Sequence, residues 1–139
     1  MYISEHWDDQ ECTRFNRSQL VAYNTLSLPE HLRSSREQLD LLIHSEQGER
    51  IGGLNGEIFW KHLHINYLWI EERLRRHGYG RQLLEMAEKR ATEKGCELIL
   101  LDTFSFQAPE FYRKQGYQEF GRVIGHPEGY TRYFFEKRL

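Results

Sequence analysis

The chain has 139 residues, of which 39% are hydrophobic and 29% are charged. A chain of this length supports one domain with its own core, and its composition is too apolar for a disordered segment and too polar for a membrane protein. Its 19 basic and 21 acidic residues give a formal net charge of -2, which excludes an overall positive field that would draw it to nucleic acid or anionic lipid.

The first half of the chain predicts one helix and three strands. Apolar residues recur at helical spacing in the first segment and stop before a proline, whereas the later segments alternate apolar and polar residues between turn signals. In chain order, these segments are a helix over 11–27, a short helix or loop over 29–35, an antiparallel hairpin over 38–45 and 50–60, and a strand over 62–70. Strict alternation divides that last strand into one face with Leu63, Ile65, Tyr67 and Trp69 and another with His62, His64, Asn66, Leu68 and Ile70.

The second half predicts a strand–helix–strand crossover and a final hairpin. A helix over 79–94 carries one apolar stripe, and Gly95 is its C-terminal cap. The short apolar run over 97–104 is typical of a strand buried on both faces, and it should run parallel to the strand before the helix. The remaining segments are a short helix over 109–115 and strands over 117–124 and 130–137. This order predicts an α/β fold with a mixed central sheet of six or seven strands and helices on both faces.

The cysteines and the first residues of the chain indicate its compartment. Cys12 and Cys96 lie far apart and belong to no Cys/His cluster at metal-ligand spacing, so we expect two free thiols and no metal site. The first residues have no basic stretch and no apolar segment, and no run reaches the roughly 18 apolar residues that span a bilayer. We expect a cytoplasmic protein without a membrane partner and one domain over residues 1–139.

The most specific signal is an R-x-x-G-x-G pattern formed by Arg75, Gly78 and Gly80, between a predicted strand and the first turn of the predicted helix. A helix start has unpaired N–H groups and the positive end of the helix dipole, and glycines let a large anion approach the backbone. Arg76 and Arg81 add positive charge. These residues therefore predict a phosphate site, which a pyrophosphate would complement.

Three kinds of phosphate-binding loop use such a site. A P-loop lacks support because the chain has no Gly-Lys-Ser or Gly-Lys-Thr, and Leu83 stands where a dinucleotide fingerprint needs its third glycine. The third kind is the coenzyme A loop of GNAT acetyltransferases, whose R/Q-x-x-G-x-G/A pattern these residues resemble. On its own, the hexapeptide could also be a solvated basic turn at a helix entry.

A second segment, over residues 105–117, resembles the N-x-x-A-x-x-x-Y-x-x-x-G-F/Y segment of the same family. Ser105 replaces the usual Asn, and the residues in register are Ala108, Tyr112, Gly116 and Tyr117. Two motifs in this order, separated by a helix and an apolar strand, are far more specific than either one. The resemblance implies the GNAT fold and an acetyl-CoA-dependent N-acetyltransferase that acts on a primary amine of a small molecule or a protein.

Acetyl transfer from a thioester to an amine needs a neutral amine, stabilisation of negative charge on the carbonyl oxygen and a proton for the departing thiolate. The resemblance implies Tyr112 as the general acid and the backbone N–H of Ile70 as the oxyanion donor. His64 is a candidate general base, with Asn66 and Glu57 as other residues that could face the acceptor. The residues assigned to acetyl-CoA are Leu68, Ile70, Arg75, Arg76, His77, Gly78, Tyr79, Gly80, Arg81, Ser105, Ala108 and Tyr112.

Two other functions stay open on the sequence alone. One is a module that binds coenzyme A as a sensor or scaffold and has little or no transferase activity. The other is a nucleic-acid-associated module, which rests only on the basic cluster over 73–81 and which the acidic balance disfavours. We expect no nucleic-acid partner, and by analogy with similar folds a homodimer is a further expectation.

Overall fold

The computed structural model describes all of residues 1–139, and its helices and strands follow the predicted order. Two short 3-10 turns, Glu30–Leu32 and Glu72–Leu74, interrupt the connections. The elements are α1 (Gln10–Ser27), β1 (Glu37–His44), β2 (Arg50–Phe59), β3 (His62–Ile70), α2 (Tyr79–Glu93), β4 (Leu98–Phe104), α3 (Pro109–Lys114), β5 (Gln118–Ile124) and β6 (Thr131–Arg138). None of the helices is long and apolar enough to cross a membrane.

The chain divides into two compact units, Met1–Ser34 and Ser35–Leu139. In the first unit, α1 begins after Asp9, whose carboxylate accepts hydrogen bonds from the N–H groups of Glu11 and Cys12 at 3.0 and 3.1 Å. Such a cap satisfies donors that the helix itself leaves unpaired. The assignment of residues 1–139 to one domain stays a prediction.

The second unit contains a six-stranded sheet in the order β1-β2-β3-β4-β6-β5. The pairing of β3 with β4 is parallel, and the other four pairings are antiparallel. The crossover from β3 through α2 to β4 produces the parallel pair, because only a long connection can return a strand in the same direction. The predicted mixed sheet of an α/β fold is therefore confirmed, with six strands and three α-helices.

The core of this unit lies between α2, α3 and one face of the sheet. The helical stripe predicted for α2 is the buried one, and it consists of Leu83, Leu84, Ala87 and Ala91. On β4 the residues Ile99, Leu101 and Thr103 are buried, and the residues that alternate with them are only partly buried. The expectation that β4 is buried on both faces was therefore wrong, because only one face of the strand has fully buried side chains.

The alternation predicted for β3 is wrong beyond Ile65. Asn55 of β2 pairs with Tyr67 whereas Gly56 pairs with Ile65, so Asn66 is an extra residue in a β-bulge. A bulge shifts the side-chain alternation by one residue. Ile70 is consequently buried with Leu63 and Ile65, Leu68 packs against the same core, and Tyr67 and Trp69 are 71% and 51% exposed.

Gly56 lies opposite this bulge and allows β2 and β3 to approach closely. A Cβ atom at this position would lie 2.7 Å from the backbone oxygen of His64 and 2.8 Å from Cδ1 of Leu63. Both distances are shorter than a normal contact, so a side chain would push the strands apart. Gly56 therefore relieves crowding between the two strands.

Candidate active site

The connection from β3 to α2 contains the R-x-x-G-x-G pattern, and its geometry follows from two local features. The guanidinium Nε of Arg75 donates a hydrogen bond to the carbonyl oxygen of Ile70 at 3.1 Å, which ties the loop to the end of β3. Gly78 has a φ of 84° and is the N-cap of α2. Glycine is favoured there because a Cβ atom is strained at positive φ. Arg76 also has a positive φ, of 66°.

The start of α2 presents backbone donors and positive charge. The first helical hydrogen bond runs from the N–H of Gln82 to the carbonyl of Gly78 at 3.0 Å, and no side chain caps the N–H groups before it. The first turn contains no acidic residue, and a Cβ atom built on Gly78 would meet nothing within 4 Å. The exposed side chain of Arg81 lies 3.6 Å from Glu85. An anion with several oxygens, such as a diphosphate, fits this arrangement.

A cleft opens in the sheet beside this helix start. The parallel pairing of β3 with β4 covers His62, Leu63 and His64, and the last part of β3 has no ladder partner on that side. The two strands therefore separate beyond His64, just before the bulge at Asn66.

The backbone groups of Ile70 and Leu68 are directed into this cleft. The N–H of Glu71 donates to the carbonyl of Ile51 at 2.9 Å, which makes Gly52 and Ile70 a non-hydrogen-bonded pair in the antiparallel ladder. The N–H and C=O of Ile70 consequently point away from β2. Leu68, two residues earlier and paired with Leu54, has the same orientation. Both residues are among those that the family resemblance assigns to acetyl-CoA.

Gly80 lies where the helix start, the cleft and α3 meet. A Cβ atom on Gly80 would lie 3.4 Å from the ring of Phe111 in α3 and 3.9 Å from Cδ2 of Leu68 in β3. Elements that are distant in sequence thus approach one another at the second glycine of the motif. The small residue keeps this junction narrow.

The loop between β4 and α3 is ordered by a buried hydroxyl. Thr103, which is 3% exposed, contacts the side-chain oxygen of Gln107 at 3.2 Å, and its own oxygen accepts from the N–H of Ala108 at 3.4 Å. Gln107 also accepts from the N–H of Phe104 at 2.9 Å. Ala108 is the N-cap of α3, and Pro109 occupies the first helical position, where its missing N–H carries no cost.

Tyr112 projects from α3 into the core of the second unit. Its side chain is 7% exposed, and its ring packs against Tyr117 and Phe135 with centroid distances of 5.8 and 6.2 Å. Burial, and secondarily the negative charge of Asp102 on β4, raises the pKa of Tyr112 to about 12. The phenol is therefore protonated at any physiological pH.

Three other predicted site residues have different surroundings. The hydroxyl of Ser105 accepts from the N–H of Thr131 at 3.0 Å and so extends the contact between β4 and β6. The rings of His77 and Tyr79 lie 6.4 Å apart at the start of α2, and Tyr79 also packs against the core. The structure thus places His77 and Tyr79 at the start of α2 beside Arg75, Gly78 and Gly80, and it gives the Ser105 side chain a partner in the protein.

His64 lies on the opposite face of β3 from the buried Leu63 and Ile65. Its Nδ1 is 2.8 Å from the side-chain oxygen of Asn66, so the two groups form a hydrogen bond in the tautomer that has its proton on Nδ1, and in that tautomer Nε2 is an acceptor. Glu57, which pairs with His64 across β2 and β3, forms an ion pair with Arg36.

His62 does not share this environment. Its Nδ1 contacts the carbonyl of Phe59 at the β2–β3 turn, and burial lowers its pKa. His62 and His64 therefore have different hydrogen-bond partners.

A cluster of polar side chains at the start of α1 was not predicted. His6, Asp9 and Cys12 place their potential metal-ligating atoms within 4.8 Å of one another at the start of α1. Both contacts to Asp9, from His6 and from the thiol of Cys12, are 3.3 Å long. The three residues are spaced three positions apart in the sequence, and this spacing could have predicted that they lie close together. The capping role of Asp9 accounts for the arrangement without an ion.

Comparisons with known proteins agree on one family. Residues 4–117 match the Acetyltransferase (GNAT) family. The chain is similar to a blasticidin-S acetyltransferase of Streptomyces morookaense, with 39% identity over 95 residues, or 68% of this chain and 70% of that protein.

Solved structures agree with this assignment. An acetyltransferase from Bacillus cereus ATCC 14579 superposes with a TM-score of 0.92 and 43% identity, covering 100% of this chain and 98% of that one. The fold is shared with a Bacillus anthracis str. Ames protein in complex with acetyl coenzyme A, at a TM-score of 0.67 and 18% identity over 82% of this chain and 70% of that chain.

Proposed function

We propose an acceptor and a set of catalytic roles for this chain, which belongs to the Acetyltransferase (GNAT) family. As a member of the family it is an acetyltransferase whose acetyl donor is acetyl-CoA. The acceptor is a primary amine of an antibiotic of the blasticidin S kind. The observation that carries this proposal is the 39% identity to a blasticidin-S acetyltransferase over 68% of the chain.

The turn from Arg75 to Arg81 binds the diphosphate of acetyl-CoA. The uncapped N–H groups at the start of α2 and the positive φ of Gly78 support this role. Arg75 holds the turn against β3 through its hydrogen bond to Ile70, and Arg76 and Arg81 supply charge. His77 and Tyr79 flank the same turn.

Leu68 and Ile70 hold the thioester end in the cleft. Acetyl-CoA, when bound, supplies an activated acetyl group as a thioester. The backbone groups of Leu68 hydrogen-bond the pantetheine arm, and the N–H of Ile70 donates to the carbonyl oxygen, where it stabilises negative charge in the transition state. The orientation of both residues away from β2 supports these roles. Ser105 and Ala108 contact the same cofactor from the loop after β4.

Tyr112 donates its phenolic proton to the departing sulfur. An ordinary thiol has a pKa of about 8.5, and burial raises the pKa of Tyr112 to about 12. Because the phenol is the weaker acid, it keeps its proton in the resting site and hydrogen-bonds to the sulfur as negative charge develops there, and transfer of that proton is uphill until the phenolate is reprotonated. Tyr112 recovers a proton through solvent, which takes one from the acceptor nitrogen as the C–N bond forms, the C–S bond breaks and the amide is released.

His64 takes a proton from the acceptor ammonium group. Its hydrogen bond to Asn66 fixes the tautomer in which Nε2 accepts, as a general base requires. The face of β3 that carries His64 is opposite to the face packed against the core, so the amine approaches the cleft from the side that the core leaves open.

The test is transfer from acetyl-CoA to blasticidin S, followed by thiol release and by mass spectrometry of the product. A panel of unrelated primary amines and a lysine-containing peptide serve as comparison acceptors. We expect monoacetylated blasticidin S and a kcat/KM at least tenfold above the panel, a difference of about 1.4 kcal/mol. Acetylation of a panel amine but not of blasticidin S would reject the acceptor and leave the family assignment intact.

A further inference from the structure

A carboxylate in the middle of α2 connects three elements of the second unit. Oε1 of Glu88 accepts hydrogen bonds from the hydroxyl of Tyr117 and from Nζ of Lys137, both at 3.0 Å. The side chains of Glu88 and Lys137 are only 18% and 27% exposed. An ion pair that is largely removed from solvent is screened less by salt than one on the surface. Neither motif in the sequence involves Glu88.

Both donors to Glu88 are attached to the end of α3. Lys137 donates a second hydrogen bond to the carbonyl of Gln115, the C-cap residue of α3, at 2.9 Å. The N–H of Tyr117 donates to the carbonyl of Tyr112 at 3.0 Å. The Glu88 carboxylate therefore holds the carboxyl-terminal end of α3 against α2 through two separate connections.

The same contacts reach the proposed general acid. The ring of Tyr117 packs edge-on against the ring of Tyr112 with centroids 5.8 Å apart, and Tyr117 is 3% exposed. Burial, and secondarily the charge of Glu88, raises the pKa of Tyr117, so its hydroxyl keeps the proton that it donates to Glu88. Since α3 has only six residues, its orientation depends on such tertiary contacts rather than on its own helical stability.

We propose that Glu88 is a positioning residue for acetyl transfer, which joins the helix that binds the diphosphate to the helix that carries Tyr112. This inference rests on the proposed function. Glu88 is not among the residues assigned to acetyl-CoA, and its hydrogen-bond partners are Tyr117 and Lys137. It fixes the distance between the two ends of the cofactor site by holding Tyr117, and through it the phenol of Tyr112, in one place relative to α2.

The test compares Glu88→Ala and Glu88→Gln in the natural chain and in a Tyr112→Phe background, with kcat, the KM for acetyl-CoA and the dissociation constant of coenzyme A as readouts. Glu88→Ala should lower kcat on the order of tenfold to a hundredfold, because a misplaced catalytic group loses that much rate. Binding of coenzyme A should stay within about twofold. Glu88→Gln retains a carbonyl acceptor and should recover most of the rate.

The background variant shows whether Glu88 acts through Tyr112. If it does, Glu88→Ala causes little further loss of kcat once the hydroxyl of Tyr112 is absent, because coupled residues are not additive. An equal loss in both backgrounds would overturn the proposal and leave Glu88 a structural residue. Unchanged kcat in a folded Glu88→Ala protein would overturn it as well.

Two further variants keep the test decisive. Glu93→Ala removes an exposed carboxylate of the same helix, which pairs with Arg90, and should leave kcat unchanged. If Glu88→Ala fails to fold, Tyr117→Phe removes one donor while it keeps the ring against Tyr112, and a smaller loss of kcat is expected.

An NMR measurement separates this inference from the proposed function. With ring-labelled tyrosine, the Tyr112 resonance should shift in Glu88→Ala and not in Glu93→Ala. A shift together with natural kcat in Tyr112→Phe would reject the acid role, and with it a role of Glu88 in catalysis through the phenol, while the structural connection between Glu88 and Tyr112 would stand. No shift would reject the positioning role whatever the activity of Tyr112→Phe.

Discussion

Arg75 and Ile70 are joined by a hydrogen bond of 3.1 Å from the guanidinium Nε to the backbone carbonyl oxygen. The bond connects the first residue of the glycine-containing motif to the last residue of the strand that borders the cleft. In the proposed mechanism these two residues serve opposite ends of acetyl-CoA. A change at Arg75 should therefore affect both the diphosphate and the thioester.

Replacing Arg75 with alanine removes this hydrogen bond and one positive charge from the turn. Hydrogen bonds to charged groups contribute roughly 1.5–3 kcal/mol, so we expect the KM for acetyl-CoA to rise by about tenfold or more. Arg75→Lys should recover only part of this, because an ammonium group lacks the planar geometry of guanidinium. The control is Arg73→Ala, since Arg73 pairs with Glu71 at 2.6 Å and has an exposed side chain. An equal rise in KM for both alanine variants would contradict a specific role of Arg75.

Replacing Tyr112 with phenylalanine keeps the ring in the core and removes the proton donor. Loss of a general acid typically costs a factor of at least about a hundred, so kcat should fall by that amount while the KM for acetyl-CoA changes little. Initial rates over a range of acetyl-CoA concentrations measure both quantities. A kcat equal to that of the natural chain would mean that the thiolate is protonated by another group.

The raised pKa of Tyr112 predicts the alkaline side of the pH profile. The acid form exists below the pKa, so a pKa of about 12 keeps the phenol protonated over a wider range than an ordinary tyrosine of pKa 10.0. We expect no loss of kcat assignable to this group between pH 8 and roughly pH 11. Stopped assays with brief exposure to each pH measure this. If kcat declined with rising pH within this range, and if the decline disappeared in Tyr112→Phe, the result would contradict the burial of the phenol.

Replacing His64 with alanine tests the general base. The variant has no imidazole to take a proton from the acceptor amine, so we expect kcat to fall by about a hundredfold. Asn66→Ala should have a smaller effect, because the tautomer is then no longer fixed. Initial rates with saturating acetyl-CoA measure both, and a kcat in His64→Ala equal to that of the natural chain would assign the base to another group or to water.

Replacing Gly56 with alanine tests the close approach of β2 and β3 at the bulge. The new Cβ atom would lie 2.7 Å from a backbone oxygen that cannot rotate away, so the free energy of unfolding should decrease by about 1–3 kcal/mol. Urea denaturation followed by circular dichroism measures it. Gly121→Ala is the matched control, because a Cβ atom there meets nothing within 4 Å and the φ is not positive. Similar destabilisation of both variants would indicate a general glycine effect rather than crowding.

Elements with strong periodicity could be predicted from the sequence. Leu84, Ala87 and Ala91 recur at the period of a helix, and the structure buries all of them. The turn between β2 and β3 gave no such signal, because Trp60 and Lys61 both adopt positive φ without being glycine or asparagine. Their conformation is imposed by the strands that they join.

The parts of the candidate site that depend on long-range pairing could not be predicted. The bulge at Asn66 exists only because β3 pairs with β2 in two registers, so alternation in β3 alone misassigned Leu68 and Ile70 to the wrong face. The role of Thr103 could not be predicted, because this residue lies within an otherwise mostly apolar segment. In the structure, its buried hydroxyl orders the loop before α3. The motif residues from Arg75 to Gly80 could be located because a helix start and its glycines are local features.

Asn66 has no partner in β2, so it absorbs the change in alternation between Ile65 and Tyr67. Deleting Asn66 would give a regular ladder and would leave Tyr67 and Trp69 outside and Leu68 and Ile70 inside. A strand that kept Asn66 but lost the bulge would do the reverse, turning Tyr67 and Trp69 inward and Leu68 and Ile70 toward water. The side of the sheet on which the thioester is held therefore depends on one extra backbone unit and not on any charged or nucleophilic side chain.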